Sequence, residues 1–301
     1  MLTQVFHLHA LSALHVGAGQ ALGAVDLPIA RAKATNLPLV PGSALKGVLR
    51  DEFAGNANQA TLFGPEKIAE GSTAHAGALT LGDAQLLLLP VRSLAGVSAF
   101  VTCPFVLARY AEDLQREEST AGNGSAAAAV PAVPAVPEVG EGTALVSAES
   151  CLKATEQMMV LEDLDLAAKE GADAWAQAIA ERVHAGKAQW QAMFRERFAI
   201  LADDDFSFLA DTATEVRSRI RIDDSRGVVQ DGALWYEENL PAETLLWGNI
   251  AAGPARDTSQ LTRQQVLAAF CTALGREATI QIGGKATIGR GLVRFVLGKQ
   301  P

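Results

Sequence analysis

A single carboxylate among positive charges stands out in the N-terminal part of the sequence. Asp26 is the only acidic residue before Asp51, and residues 27–50 contain no acid but four cations. A lone carboxylate in a loop is more often a turn residue than a catalyst. If this loop faces a phosphodiester, however, its charge is repelled unless it holds a divalent cation or takes up a proton. Asp26 is therefore a candidate catalytic residue.

The C-terminal end has the same charge bias. Residues 281–301 contain no acid, and they include a glycine-rich loop with Gly283, Gly284, Lys285 and Arg290. Glycines let a backbone approach a ligand and present its N–H groups, and the two cations add charge at the same place. The alternative is an ordinary hairpin connection. We favour a phosphate-binding loop, because turns seldom combine so many glycines with cations.

Another pair of cations is predicted to lie on a helix. Pro41-Gly42-Ser43 is expected to start it with Ser43 as the N-cap, which places Lys46 and Arg50 one turn apart. Together with the N–H groups of the helix N-terminus, these cations could bind the backbone of a polyanion. A solvated helix face would show the same pattern.

The sharpest alternation in the chain lies at residues 216–222. It places Arg217, Arg219 and Arg221 on one face of a strand, and the turn residues that follow make this strand the first arm of a hairpin. The arginines give the hairpin a positively charged face. Alternatively, they could form surface salt bridges with Asp203–Asp205, which contribute little stability.

The other segments mix strands and helices without a regular βαβ repeat, which favours an α+β fold with helices on one face of a sheet. Residues 3–16 and 158–166 are each predicted to form a strand, and residues 16–40 a long loop. A helix is expected at 104–117. Residues 119–142 contain VPA repeats and are predicted to be a flexible insertion that the fold does not require.

Composition excludes several classes of protein. The chain has 301 residues, of which 49% are hydrophobic, and a net charge of −9. It can bury a sizeable core, and it is too acidic to coat nucleic acid by bulk charge alone. Its three cysteines and five histidines lack the spacing of a disulfide framework or a zinc site. Without a secretory signal or a long apolar run, we expect a cytoplasmic protein with no membrane partner.

Two motifs loosely match nucleotide-binding loops. Gly17, Gly19 and Gly23 follow a predicted strand, but Pro28 and basic residues stand where a dinucleotide site needs a helix and then an acid. Gly284-Lys285 is followed by Ala286, where a phosphate loop has Ser or Thr. A small-molecule enzyme of the dinucleotide type is therefore a remote alternative.

Several segments, in order along the chain, resemble the RAMP superfamily of CRISPR effector proteins, and within it the backbone subunits of type III-B (Cmr) complexes. The more specific ones are GAVDLPIAR (23–31) and LPVRS (89–93). PGSALKGVLR (41–50) and IGGKATIGRG (282–291) are shared more widely across the superfamily. Residues 111–215 carry no such resemblance.

The resemblance implies a modified ferredoxin-like (RRM-like) α+β palm, in a single domain over residues 1–301. It further implies a helical insertion, which we place at residues 151–215, and a protruding β-hairpin thumb at 216–247. The VPA repeats depart from the family pattern, and from their composition we expect residues 111–150 to be a partly disordered Ala/Val/Pro-rich insertion. Such subunits stack head to tail along a guide RNA. A head-to-tail interface of this kind does not close and generates a helical filament.

The resemblance also implies a metal-dependent endoribonuclease. Asp26 matches the carboxylate on which target cleavage depends and is expected to bind a divalent Mg or Mn ion. His15 and Glu237 match positions near the scissile bond. The residues expected to bind RNA are Ser43, Lys46, Arg50, Gly283, Gly284, Lys285 and Arg290, together with the hairpin residues Arg217, Arg219 and Arg221.

The expected partners are crRNA, single-stranded target RNA, further copies of the chain in a helical stack and other type III effector subunits. Because guide pairing supplies the sequence specificity, the chain would read no bases and would cut at intervals of about six nucleotides. The main alternative is a non-catalytic RNA-binding scaffold, in which Asp26 only shapes its loop. A type III-A-like subunit is the nearer alternative within the superfamily.

Overall fold

The computed structural model describes residues 1–20, 25–66, 74–121, 133–223 and 225–298. The strands are β1 (Leu2–Ala10), β2 (Leu39–Val40), β3 (Leu79–Leu81), β4 (Ala84–Arg92), β5 (Ser98–Thr102), β6 (Thr143–Val146), β7 (Lys153–Thr155), β8 (Met158–Leu161), β9 (Leu164–Glu170), β10 (Phe198–Leu201), β11 (Glu215–Asp223), β12 (Val228–Asn239), β13 (Leu245–Ala252), β14 (Glu277–Gln281) and β15 (Leu292–Leu297). The α-helices are α1 (Gly42–Glu52), α2 (Gln59–Phe63), α3 (Pro104–Ala121), α4 (Asp173–Val183), α5 (Ala188–Glu196), α6 (Asp203–Thr212) and α7 (Arg263–Leu274). Across these ranges, we find no helix with the length and apolar character needed to cross a bilayer.

Strand β1 lies inside a mixed sheet of thirteen strands. It pairs antiparallel with β13 on one edge and with β15 on the other. Its residues 4–10 are all buried, as the apolar run in this part of the sequence requires. Along the sheet the strand order is β14-β15-β1-β13-β4-β5-β10-β6-β9-β8-β7, with β2 beside β4 and β3 beside β13.

Polar contacts fix helix α3 across β1. His7 and Tyr110 share a buried hydrogen bond of 2.7 Å, and the backbone N–H of Val5 donates to Glu117 Oε1 at 3.0 Å. The indole of Trp247, in β13, donates to Asp113 Oδ2 at 3.0 Å. The α+β arrangement predicted from the sequence is confirmed.

Helix α1 begins at Gly42 and has Pro41 as its N-cap. The N–H of Gly42 donates to the carboxylate of Asp83 at 2.8 Å. A Cβ at Gly42 would lie 2.3 Å from the carbonyl oxygen of Leu81, so only glycine lets the sheet approach this closely. The prediction that Ser43 is the N-cap is therefore wrong. Ser43 is exposed in the first turn, and Asp83, in the connection between β3 and β4, accepts the hydrogen bond at the start of the helix instead.

The predicted insertion at 119–142 divides into parts with different placement. Residue 121 ends α3, and residues 122–132 lie outside the described part of the chain. Val133, Val136 and Val139 pack against the core, and the indole of Trp175 donates to the carbonyl of Ala135 at 3.0 Å. Residues 133–139 are therefore part of the fold, contrary to the expectation that the whole segment is a dispensable appendage.

Strands β11 and β12 form a two-stranded sheet of their own. Arg217 pairs with Glu237 and Arg219 with Trp235, which places these four side chains on one face. On the other face Ile220 pairs with Leu234, and both are about half exposed. The second arm ends at Asn239. Residues 245–247, which we assigned to the hairpin, belong to β13 in the large sheet.

Candidate functional site

Strand β12 holds the segments that carry the predicted catalytic residues. The backbone N–H of Tyr236 donates to Asp26 Oδ2 at 2.8 Å. Two residues further on, the carbonyl of Glu238 accepts a hydrogen bond of 2.7 Å from His15 Nδ1. Glu237 lies between these two positions on the strand. The fold thus brings together three residues that are far apart in the sequence.

Asp26 is exposed at an open cleft. Its loop runs beside β12, because the N–H of Leu27 donates to the carbonyl of Tyr236 at 3.1 Å and its carbonyl accepts from Glu238 at 3.0 Å. The cleft has a volume of about 430 Å³, and its lining residues are Gln20, Asp26, Leu27, Gly232, Leu234 and Trp235. The strand therefore orients the carboxylate while leaving it open to a ligand.

Glu237, in contrast, has a side chain with no exposed surface. The ammonium of Lys285 and the indole N–H of Trp235 both donate to its Oε1, the latter at 2.7 Å. Arg290 Nη1 lies 3.4 Å from Oε2 and Arg219 Nε lies 3.9 Å from Oε1. Burial alone would raise the pKa of Glu237, but these donors and positive charges together hold its pKa below the ordinary value. Glu237 is thus an ionised acid enclosed by cations.

The glycine-rich loop needs its glycines because it packs closely against the backbone of His15. Gly283 has φ of 77°, and a Cβ there would lie 2.2 Å from the carbonyl oxygen of His15. That oxygen accepts a hydrogen bond of 3.1 Å from the N–H of Gly284. Lys285 also adopts a left-handed conformation, with φ of 72°. From this position the ammonium of Lys285 reaches Glu237.

His15 is buried between these segments, with 6% of its surface exposed. Because a carbonyl oxygen can only accept, the 2.7 Å contact with Glu238 places a proton on Nδ1. In the neutral imidazole, Nε2 is then the acceptor. A Cβ at Gly17 would lie 3.0 Å from that nitrogen, so the start of the long loop covers it. His15 joins the loop, β12 and the glycine-rich loop.

The predicted RNA-binding residues of α1 lie apart from this group. Ser43 is exposed and Lys46 half-buried, while Arg50 donates to the carbonyl of Gly64 at 3.0 Å. Within the described ranges, no hydrogen bond or ion pair links these side chains to Asp26 or Glu237. Helix α1 does contact β14, the strand that leads into the glycine-rich loop.

The hairpin arginines differ in their contacts. Arg217 donates to Glu215 at 2.5 Å, Arg219 approaches Glu237, and Arg221 is exposed. The alternative of salt bridges with Asp203–Asp205 is wrong. Asp203 accepts from the backbone N–H of Phe105 at 2.9 Å, and Asp205 accepts from that of Gly142 at 3.0 Å.

Sequence reasoning missed Trp235 and Glu238. Trp235 could have been found from the alternation in β12, which places it on the face of Glu237 and the arginines. Glu238 faces the other way and reaches Arg31, which the sequence showed only as one cation in a basic stretch.

A preformed metal cage is not seen in the described part of the chain, where no three His, Cys, Asp or Glu side chains cluster suitably. Asp26 is a single exposed carboxylate. Magnesium is often bound through only one or two carboxylates, with substrate phosphates and water as its other ligands. Asp26 therefore fits such an ion only as part of a complex with a phosphate-containing substrate.

Comparison with known families identifies the fold. The profile of the RAMP superfamily matches residues 7–294. The chain belongs to the RAMP superfamily. The superfamily resemblance of the sequence motifs is thus confirmed, and the mixed α+β sheet with its separate hairpin is a RAMP fold.

Relatives of this RAMP protein agree in sequence and structure. It is 33% identical over 297 residues to the CRISPR system Cmr endoribonuclease Cmr4 of Pyrococcus furiosus, covering 96% of this chain and 94% of that protein. The crystal structure of oligomeric Cmr4 from the same organism matches with a TM-score of 0.71 and 27% identity, over 99% of this chain and 98% of that one. A chain of the type III-B Cmr-beta complex bound to cognate target RNA has the same fold, with a TM-score of 0.71 and 19% identity over 99% and 97% of the two chains. The RAMP protein is a Cmr4 homologue.

Proposed function

We propose that the chain is a crRNA-binding backbone subunit of a type III-B effector and that it cleaves guide-paired target RNA with Asp26. The contrast between two acids carries this proposal. Asp26 is exposed in a cleft and held in place by β12, whereas Glu237 is enclosed by cations. Homology to a Cmr endoribonuclease supports the class of reaction.

In the proposed reaction, the 2′-hydroxyl of a target ribose attacks the adjacent phosphorus. The O2′–P bond forms while the P–O5′ bond breaks in line, which leaves a 2′,3′-cyclic phosphate and a 5′-hydroxyl. Asp26 orients the attacking hydroxyl and accepts its proton, and water supplies a proton to the leaving oxygen. His15 and Glu237 do not touch the RNA in this scheme, because both are buried. His15 supports the cleft by its hydrogen bond to the backbone of β12, and Glu237 supports it by fixing the position of Lys285.

In an alternative form of the proposal, Asp26 acts instead as the protein ligand of a divalent ion, Mg²⁺ or Mn²⁺. The open position of Asp26 is compatible with an ion shared with the RNA. When bound, the ion would offset the negative charge that develops on the phosphate.

The guide RNA is proposed to bind through its backbone. Gly283 and Gly284 hold the glycine-rich loop close to the site, and Lys285, whose side chain is partly exposed, gives it an accessible charge. Arg290 is buried against Glu237 and Asn239, so it supports the loop from within rather than contacting RNA. Ser43, Lys46 and Arg50 of α1, together with Arg217, Arg219 and Arg221 of the hairpin, would extend this surface. Phosphate contacts of this type fix the position of a strand without reading its sequence.

Further copies of the chain are proposed to stack along the guide beside other effector subunits. The oligomeric state of the related Cmr4 crystal structure supports self-association. With one hairpin per copy, cleavage would recur at intervals of about six nucleotides, in register with the guide-paired target.

The deciding experiment uses the assembled effector with a guide, a matched target and Mg²⁺. Asp26→Asn should slow cleavage by at least about 100-fold while target binding persists, because the amide cannot accept the proton. Asp165→Asn, at an exposed acid of β9, is the control and should cut normally. Full-rate cutting by Asp26→Asn would overturn the catalytic assignment. An unchanged complex that protects its target without regularly spaced fragments would instead establish the scaffold alternative.

A further inference from the structure

Arg31 ends the segment that carries Asp26, and the proposed chemistry does not use it. Its side chain is only 17% exposed, and its Nη2 lies 2.6 Å from Glu238 Oε1. Its Nη1 donates to the carbonyl of Ala210 and to Asp211 Oδ1, both at 3.1 Å. Arg31 therefore ties the end of the Asp26 loop to both the hairpin and helix α6.

Glu238 receives donors from two directions. Its Oε2 accepts the backbone N–H of Ile29 at 3.1 Å, and its Oε1 also accepts the hydroxyl of Thr214 at 3.0 Å. The carboxylate is 8% exposed, so these bonds are largely shielded from water. Glu238 stands two residues after Tyr236, whose N–H orients Asp26. One short stretch of β12 thus holds both ends of the loop.

We propose that Glu238 and Arg31 are positioning residues for Asp26, an inference that rests on the proposed function. Residues 25–31 contact their neighbours through isolated bridges rather than a continuous ladder. The hydrogen bond from Tyr236 fixes the carboxylate, and the Arg31–Glu238 pair prevents the following residues from moving away from β12. A displacement of about 1 Å in a reacting group can slow a reaction by about 100-fold. Release of this pair should therefore slow cleavage without removing a contact to RNA.

The test compares single-turnover cleavage and target affinity in the assembled effector. Glu238→Gln and Arg31→Gln should each slow cleavage of pre-bound target by at least about tenfold, because the loop loses its anchor. Target affinity should stay within about twofold of the unchanged complex, since the phosphate-binding cations are retained. Hydrogen exchange should show faster exchange at Ile29 N–H. The control is Glu277→Gln, which removes an acid paired with Arg294 and Lys187 in β14.

The outcomes separate the two proposals. If Asp26→Asn cuts normally, the proposed function fails and the positioning role fails with it. If Asp26→Asn is inactive while Glu238→Gln and Arg31→Gln cut at the unchanged rate, only the positioning role is wrong. If the two variants lose target affinity in proportion to cleavage, or if Glu277→Gln slows cleavage equally, the pair has a general structural role and the inference is overturned.

Discussion

The Asp26 loop and the glycine-rich loop both pack against β12, but their charged side chains have opposite environments. In the first, a carboxylate receives one backbone N–H and remains exposed. In the second, Lys285 and Arg290 fold back onto Glu237, which is fully enclosed. The first loop leaves a negative charge accessible to a ligand. In the second, part of the positive charge is paired with Glu237 inside the protein.

This difference separates residues needed for stability from residues needed for chemistry. A buried acid surrounded by cations cannot be neutralised without leaving those cations unpaired. An exposed carboxylate with one hydrogen bond can be changed with little effect on folding. Replacing the carboxylate by an amide should therefore lower the stability of the fold at Glu237 and the rate of cleavage at Asp26.

Glu237→Gln should give the largest change in stability. Loss of one partner from a buried ionic cluster costs about 3–5 kcal/mol, whereas Asp26→Asn should change the free energy of unfolding by less than about 0.5 kcal/mol. Urea unfolding of the two purified variants measures the difference. Equal destabilisation would remove the distinction between the two acids.

Gly283→Ala should cause the next largest loss of stability. The left-handed φ costs an alanine about 1 kcal/mol, and the overlap with the His15 carbonyl adds about 1–3 kcal/mol. Gly289→Ala is the matched control, because its φ is 78° and nothing lies within 4 Å of its Cβ position. In thermal unfolding, the melting temperature of Gly283→Ala should be well below that of Gly289→Ala. Equal melting temperatures would show that the loop tolerates a methyl group against the carbonyl of His15.

Lys285→Met should weaken guide binding and its salt dependence. Each lost phosphate contact lowers the slope of log affinity against log salt by about 0.7 for a single strand. Lys187→Met is the control, since Lys187 pairs with Glu277 away from the glycine-rich loop. Titrations of guide RNA at several salt concentrations give both slopes. An unchanged slope would mean that Lys285 pairs only with Glu237 and makes no contact with an RNA phosphate.

The pH dependence of stability should show the smallest effect. The pKa of Glu237 is lowered in the folded chain, so its ionisation contributes stability that is fully present above the ordinary value of about 4.3. This contribution is lost as the pH falls through the lower folded pKa. The stability gap between the unchanged chain and Glu237→Gln should therefore narrow on acidification. A gap that widens would mean that the folded pKa is raised.

Much of the fold could be predicted where local pattern and tertiary environment agree. The strand at 292–297 and the helix from 104 onward follow directly from their apolar spacing. Residues 158–166 were predicted as one strand, but they form β8 and β9 with a turn at Glu162, whose φ is 46°. The turn contains no glycine, proline or asparagine, and Asp163 is its only common turn residue, so its sequence gives only a weak signal.

The members of the candidate site could be named from the sequence, but their environments could not. Charge pattern and family resemblance identified Asp26, Glu237 and Lys285. Glu237 is enclosed because the glycine-rich loop covers its face of β12, whereas the loop of Asp26 pairs along the strand and leaves the carboxylate exposed; only long-range contacts determine this. The Arg31–Glu238 pair joins residues 207 positions apart, beyond the reach of any local pattern.

The interleaving of the sheet has a practical result. Strands that precede residue 122 in the sequence lie next to strands that follow residue 132. For example, β1 lies between β13 and β15, and β5 lies beside β10. The segment 133–139 is itself docked on the core. A chain severed between residues 121 and 133 should therefore yield two fragments that co-purify, making this position suitable for fragment complementation and for inserting an affinity tag.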